Sequence, residues 1–174
     1  SGWYAMGAVL SAGASLDWVR RVLGVSWQRL YAAAEAPVSA ADPVFLPHLS
    51  GERTPYLDPG MRGAWVGLGP GTGRAAMLRS ALEGVAFALR DALDALQPPD
   101  DTRTTPVRLA GGGTKAAAWR QLLADTLERP LLPLETGDAS ARGAALLAGP
   151  ATGLVDEAEL TDQAGSGGEL APSI

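Results

Sequence analysis

Residues 106–135 constrain the fold most. They read PVRLAGGG, then TKAAAWRQLLADTLE, then RPLLPLE. The outer pieces, 106–113 and 129–135, are short apolar runs bounded by proline or glycine, the pattern of brief strands. Between them Trp119, Leu122, Leu123 and Leu127 fall on or near one face of a helix over 114–128. Strand, helix and strand in so short a span point to an α/β layer. Gly111, Gly112 and Gly113 sit at the first junction, where they cost conformational entropy and bring no side chain to pack. Two readings stay open from this stretch alone. One is a tight strand-to-helix turn. The other is a place where a flat or anionic ligand reaches the main chain, at a helix opening at Thr114 with free N–H groups and a partial positive charge.

The rest of the chain supports a helix-rich α/β domain. Met6, Val9, Leu10, Leu16, Val19 and Leu23 are near helical spacing over 5–23, interrupted by Gly7 and Gly13. A second helix is predicted over 26–36, capped by Ser26 and stopped by Pro37. Five prolines at 37, 43, 47, 55 and 59 forbid a regular helix over 37–62, and so long an ordered loop is often functional. GAWVGL (63–68) reads as a strand. A long helix follows over about 72–96, with Met77, Ala81, Leu82, Val85, Leu89, Leu93 and Leu96 as its apolar stripe. A last helix over 138–149 ends at Gly149 and Pro150. VDEAELTDQ adds a helical turn or two, and 164–174 reads as a flexible tail.

Composition removes several chemistries. There are no cysteines among the 174 residues, so disulfides, thiolate zinc sites and cysteine nucleophiles are all excluded. The net charge is -5 and no basic patch stands out, which leaves no electrostatic case for nucleic acid. No run of 18 apolar residues suggests a membrane span, and the apolar N-terminus lacks the basic leader of a signal peptide. That start is abrupt, as of a segment cut from a longer chain. GLGPGTGR (67–74) is neither a P-loop nor a Rossmann turn, and reads as a flexible turn before the long helix. His48, the only histidine, lacks a serine–aspartate pattern around it and reads as structural. Glu52 and Arg53 are expected to form an ion pair that fixes their loop, or to face an interdomain cleft. Asp42, Asp58, Asp100 and Asp101 read as turn residues, Asp125 and Glu128 as solvated helix face, and the five tryptophans as packing anchors.

Several motifs in a fixed order carry a resemblance. They are FLPHLSGERTPYLDPGMRGAWVGLGPGTGRAAMLRSALEGVAFAL, then LAGGGTKAAAWRQLLADTLERPL, then ARGAALLAG. Together they resemble the C-terminal domain of the FGGY carbohydrate kinases, with LSGERTP typical of the xylulokinase branch. Gly63, Trp65, Gly67, Leu68, Met77, Ser80, Ala81, Leu82 and Glu83 match the second family signature, and Ala76 departs from it. The resemblance covers residues 3 to about 160.

The resemblance implies an actin/hexokinase-like (ribonuclease H-like) ATPase domain, the C-terminal half, with a mixed sheet flanked by helices. It implies one nucleotide-binding domain over 1–163, incomplete at its N-terminal edge. Gly112, Gly113 and Thr114 would then approach ATP or ADP, with Gly13 by the phosphates and Asp17 near the adenosine. Ala117 falls where related kinases often carry a polar adenine contact. Mg²⁺ would arrive with the nucleotide, since no protein-only metal cluster is evident. The catalytic aspartate and most sugar contacts belong to the family's N-terminal domain, so no catalytic residue is expected here and the chain alone is expected to be inactive. The implied enzyme is a cytoplasmic, ATP-dependent kinase acting on a ketose, D-xylulose above others. Its family members are often dimers, though no interface pattern stands out. The alternatives are a non-catalytic nucleotide-binding module and a structural module.

Overall fold

A computed structural model describes residues 4–96, 105–134, 138–153 and 168–173. The helix predicted over 5–23 forms only as α1, Ala12–Val22. Residues 4–11 stay outside helix and strand, where main-chain groups are taken by a distant loop: the amide of Ala8 donates to Thr54 Oγ1, and that of Leu10 to Glu52 Oε1. Ser26 caps α2, Trp27–Ala32, by accepting from the Arg29 amide, and a 3₁₀ turn over Ala33–Glu35 completes it before Pro37.

The proline-rich stretch hides a strand. β1, Val44–Leu46, pairs antiparallel with β2, Ala64–Val66, with Phe45 opposite Trp65. Both residues turn inward, their ring centroids 4.6 Å apart. Prolines at 43 and 47 flank β1 without interrupting it, as strand ends permit. Turn roles hold for Asp42 and Asp58, whose carboxylates accept from the amides of Ser39 and Gly60. Asp100 and Asp101 lie outside the described residues.

α3, Arg74–Ala95, is the spine. A single apolar stripe understates it. Small residues let neighbours approach on several sides, and Ser80, Ala81, Gly84, Ala88 and Ala92 are all buried. α1, β1 and the fourth helix all pack against it. Gly84 meets the carbonyl of Phe45 so closely that a Cβ there would overlap it. Gly7 lies over the Ala92 carbonyl in the same way, less tightly.

β3, Val107–Leu109, and β4, Leu131–Pro133, are parallel neighbours in register Val107 to Leu131. They are joined by α4, Ala117–Leu127, which buries Trp119, Leu122, Leu123 and Leu127. Residues 168–173 return to this layer instead of trailing free. Leu170 forms an isolated antiparallel bridge with Leu131 through two hydrogen bonds, beside the two-stranded parallel sheet. Asp125 is not merely solvated, because it accepts from the amide of Ser173 at 2.7 Å. α5, Ala139–Thr152, is capped by Asp138 and runs through Pro150 to a left-handed Gly153. It is thus longer than a stop at Gly149 and Pro150 would allow. The helical reading of VDEAELTDQ lies outside the described residues. One core joins the layers, with Leu16, Leu30, Phe45, Leu82, Leu123 and Leu131 among its buried members.

Candidate functional site

The α/β layer, α3 and the first two helices line an open cavity of about 760 Å³. Ala12, Gly13 and Leu16 bring the first turns of α1 to it, and Trp27 and Tyr31 one face of α2. Val85 and Leu89 form its α3 side. The segment from Leu109 to Lys115 closes it at the sheet, with Trp119 and Leu123 behind. Gly13, Gly112, Gly113 and Thr114, distant in sequence, therefore share one wall system.

The glycine junction differs from a helix opening at Thr114. Gly111 takes φ +111°, a conformation that favours glycine. Gly112–Lys115 then form a 3₁₀ turn, and α4 begins only at Ala117 with no side-chain cap. The Thr114 amide and hydroxyl both turn back onto the Gly111 carbonyl, at 3.2 and 2.8 Å. A turn therefore accounts for Gly111. It does not account for Gly112 or Gly13, where an added Cβ would meet nothing within 4 Å among the described residues. At Gly113 a Cβ would lie 3.3 Å from the Tyr31 hydroxyl, so that glycine is partly a packing requirement.

Asp17 lies apart from the cavity lining. Its carboxylate pairs with Arg20 at 2.7 Å and Arg21 at 3.0 Å along α1. Arg20 in turn sits over the Trp27 ring, 4.9 Å from its centroid, and Trp27 stacks on Tyr31 at 5.6 Å. Asp17 thus reaches the cavity only through Arg20 and Trp27. Burial pushes the Tyr31 phenol above its ordinary pKa.

Lys115, Trp27 and Tyr31 are lining residues that motif reading passed over. Lys115 is the only lysine in the chain, and it directly follows the glycine turn. Trp27 is not a buried anchor like Trp119; it is 38% exposed beside the cavity. Its spacing of four from Tyr31 on one helix face was the available signal.

A second polar cluster braces the entry to α1. Glu52, 2% exposed, accepts from the amides of Leu10 and Arg53, both at 2.9 Å, and from His48 Nδ1 at 3.1 Å. The expected Glu52–Arg53 ion pair is replaced by these contacts, since Glu52 takes the main-chain amide of Arg53 and its side-chain partner is His48. Ser15 donates to the Pro47 carbonyl at 2.6 Å, and Ser11 Oγ accepts from the Ser50 amide. The glycine of GERTP is required here: Gly51 has φ +83°, and a Cβ would lie 2.8 Å from Pro59 main chain.

The cavity combines bare glycine backbone, an apolar and aromatic interior and one ammonium, the kind of lining that small-molecule sites use. No group of three His, Asp or Glu that could hold a metal occurs among the described residues. No helix among them is long and apolar enough to cross a membrane.

The sequence matches the model of the FGGY family of carbohydrate kinases, C-terminal domain, over residues 1–152. A xylulose kinase of Escherichia coli (strain K12) is 41% identical over 149 residues, 84% of this chain and 31% of that protein. A glycerol kinase of Gloeobacter violaceus is 36% identical over 163 residues, 92% of this chain and 33% of that protein. The crystal structure of ligand-bound xylulose kinase from Lactobacillus acidophilus aligns with a TM-score of 0.79 at 31% identity, over 96% of this chain and 35% of that one. The chain spans about a third of the length of these relatives. The glycine turn, the layered sheet and these likenesses agree: the chain belongs to the FGGY family of carbohydrate kinases, whose C-terminal domain and actin/hexokinase-like fold it carries.

Proposed function

We propose that this chain is the nucleotide-binding half of an ATP-dependent ketose kinase, acting in the cytoplasm on D-xylulose to form D-xylulose 5-phosphate. The observation that carries the reading is the open space in front of Gly13 and Gly112, glycines that nothing in the described chain requires. ATP or ADP would take that space, with the main-chain N–H groups of Gly112 and Gly113 toward the phosphates and Lys115 neutralising their charge. Trp27, Tyr31 and Leu109 would exclude water from the base and sugar. Xylulose kinases among the relatives favour D-xylulose, while a glycerol kinase at 36% identity keeps the wider class of polyols and ketoses in view.

Phosphoryl transfer moves the γ-phosphoryl group to a sugar hydroxyl, whose proton must pass to a base. No carboxylate is among the described lining residues, so this half holds the donor and an aspartate of the N-terminal half would take the proton. Mg²⁺ would enter with ATP. Closure of the two halves would complete the site.

Calorimetric titration of the chain with Mg·ATP and ADP, up to millimolar, tests the site. Saturable binding without sugar-dependent turnover is expected. A folded sample giving no heat with either nucleotide would overturn the assignment of the cavity. The kinase containing this domain should then phosphorylate D-xylulose with a higher kcat/KM than glycerol.

A further inference from the structure

Resting on the nucleotide reading of the cavity, with Gly13 on its phosphate side, we infer that the loop over 47–54 is a positioning element that acts at a distance by fixing where the first turn of α1 presents Gly13. Two segments far apart in sequence are laced together in antiparallel order. The Ala8 amide donates to Thr54 Oγ1 at 3.0 Å, and the Thr54 amide returns to the Ala8 carbonyl at 3.0 Å. The Leu10 amide donates to Glu52 at 2.9 Å, the Ser50 amide to Ser11 Oγ at 3.3 Å, and Ser15 Oγ to the Pro47 carbonyl at 2.6 Å. Ser11, Ser15 and Glu52 are buried. No residue of the loop is among the described lining residues of the cavity.

The loop is in turn tied to the spine. The Tyr56 hydroxyl donates to Asp91 on α3 at 2.9 Å, and the Glu52 amide to the Asp58 carbonyl at 2.9 Å. α3 also brings Val85 and Leu89 to the cavity. The loop therefore sets one wall of the cavity in register with another.

Helix stability alone does not explain the arrangement. Ser11 stands at the N-cap of α1, where a serine oxygen ordinarily accepts from an amide of its own helix. Here that oxygen accepts from Ser50 instead, and α1 has neither a side-chain cap nor an acidic residue in its first turn. The positive end of α1 thus has no side-chain partner beside Gly13, where a Cβ would meet nothing within 4 Å. The lacing holds this turn in place and leaves its cavity side bare. Such placement matters, because a shift of about 1 Å caused by a distant substitution can cost a site roughly a hundredfold.

The test is calorimetric titration of the kinase containing this domain with ADP and with adenosine, beside thermal melts. Thr54→Val removes the acceptor for Ala8 and keeps the side-chain shape; Ser15→Ala removes the Pro47 contact and serves if Thr54→Val does not fold. Each should weaken ADP by about tenfold and leave adenosine within about twofold, and Thr54→Ser, which keeps the oxygen, should bind ADP like the parent. Unchanged ADP affinity in the folded variants would reduce the loop to a brace for stability and overturn the inference. Equal losses for ADP and adenosine, or a loss in Thr54→Ser as large as in Thr54→Val, would overturn it as well. In these cases the parent still binds ADP and the nucleotide site stands. A folded parent that binds neither ligand would overturn the nucleotide site, and the inference with it.

Discussion

The Glu52 carboxylate accepts the Leu10 amide at 2.9 Å, across 42 residues of sequence, and so ties the GERTP loop to the approach of α1. Gly13, at the cavity, follows three residues after Leu10. Replacing Glu52 with Ala strands the amides of Leu10 and Arg53 and the His48 ring. Stability should fall by about 2–4 kcal/mol, read as the urea midpoint. Glu52→Gln keeps one acceptor oxygen and should cost less.

The same carboxylate gives an acid sensitivity with a defined sign. Burial raises the Glu52 pKa, but the Leu10 and Arg53 amides and His48 outweigh it and hold it below the ordinary glutamate value. Its contribution is therefore fully present above the unfolded value, roughly 4.3, and is lost as pH falls through the lower folded value. Melting temperatures measured from pH 7 to 3 should decline less steeply in Glu52→Ala than in the parent chain.

Two glycines should respond in opposite ways. Gly112→Val projects into open space, so the chain should fold with little change in stability and lose at least about tenfold in ADP affinity. Gly113→Val is the poorer probe because it meets Tyr31. Gly84→Ala collides with the Phe45 main chain in the core and should cost about 3 kcal/mol or more. Circular dichroism melts and ADP titrations separate the two effects. Full ADP affinity in a folded Gly112→Val chain would sink the glycine assignment.

Lys115→Met should weaken ADP by about tenfold, the worth of a lost charge-assisted contact, and leave adenosine unaffected. The salt dependence of ADP binding should flatten with it. Equal losses for ADP and adenosine would place Lys115 at the base instead.

Asp17→Asn should leave ADP affinity within about twofold and cost no more than about 1 kcal/mol, since the ion pairs it breaks are partly exposed. A tenfold loss of ADP affinity would show that the carboxylate meets the nucleotide directly.

Much of this architecture is legible in the chain because it is local. Ser26 and Asp138 are helix caps at the positions their side chains suit. The alternation of β3, α4 and β4 follows from apolar runs cut by glycine and proline. The errors arise where a distant partner overrides local preference. Residues 5–10 carry helical spacing, yet Thr54 and Glu52 take their amides. β1 sits among prolines that read as a long loop, yet β2 supplies its ladder and α3 its floor. Residues 168–173 look like a loose tail of small residues, yet Leu131 and Asp125 bind them.

The sequence by itself determined the family and most of the helices, because these rest on residue identity and short-range spacing. Only the tertiary structure decided which glycines are bare. Gly111 serves its own φ, Gly51 and Gly84 serve packing, and Gly13 and Gly112 face open space. It also brought Lys115, Trp27 and Tyr31 to the cavity and left Asp17 beside it. The physical reason is that a missing side chain has no meaning until its surroundings exist, and those are assembled from segments a hundred residues apart.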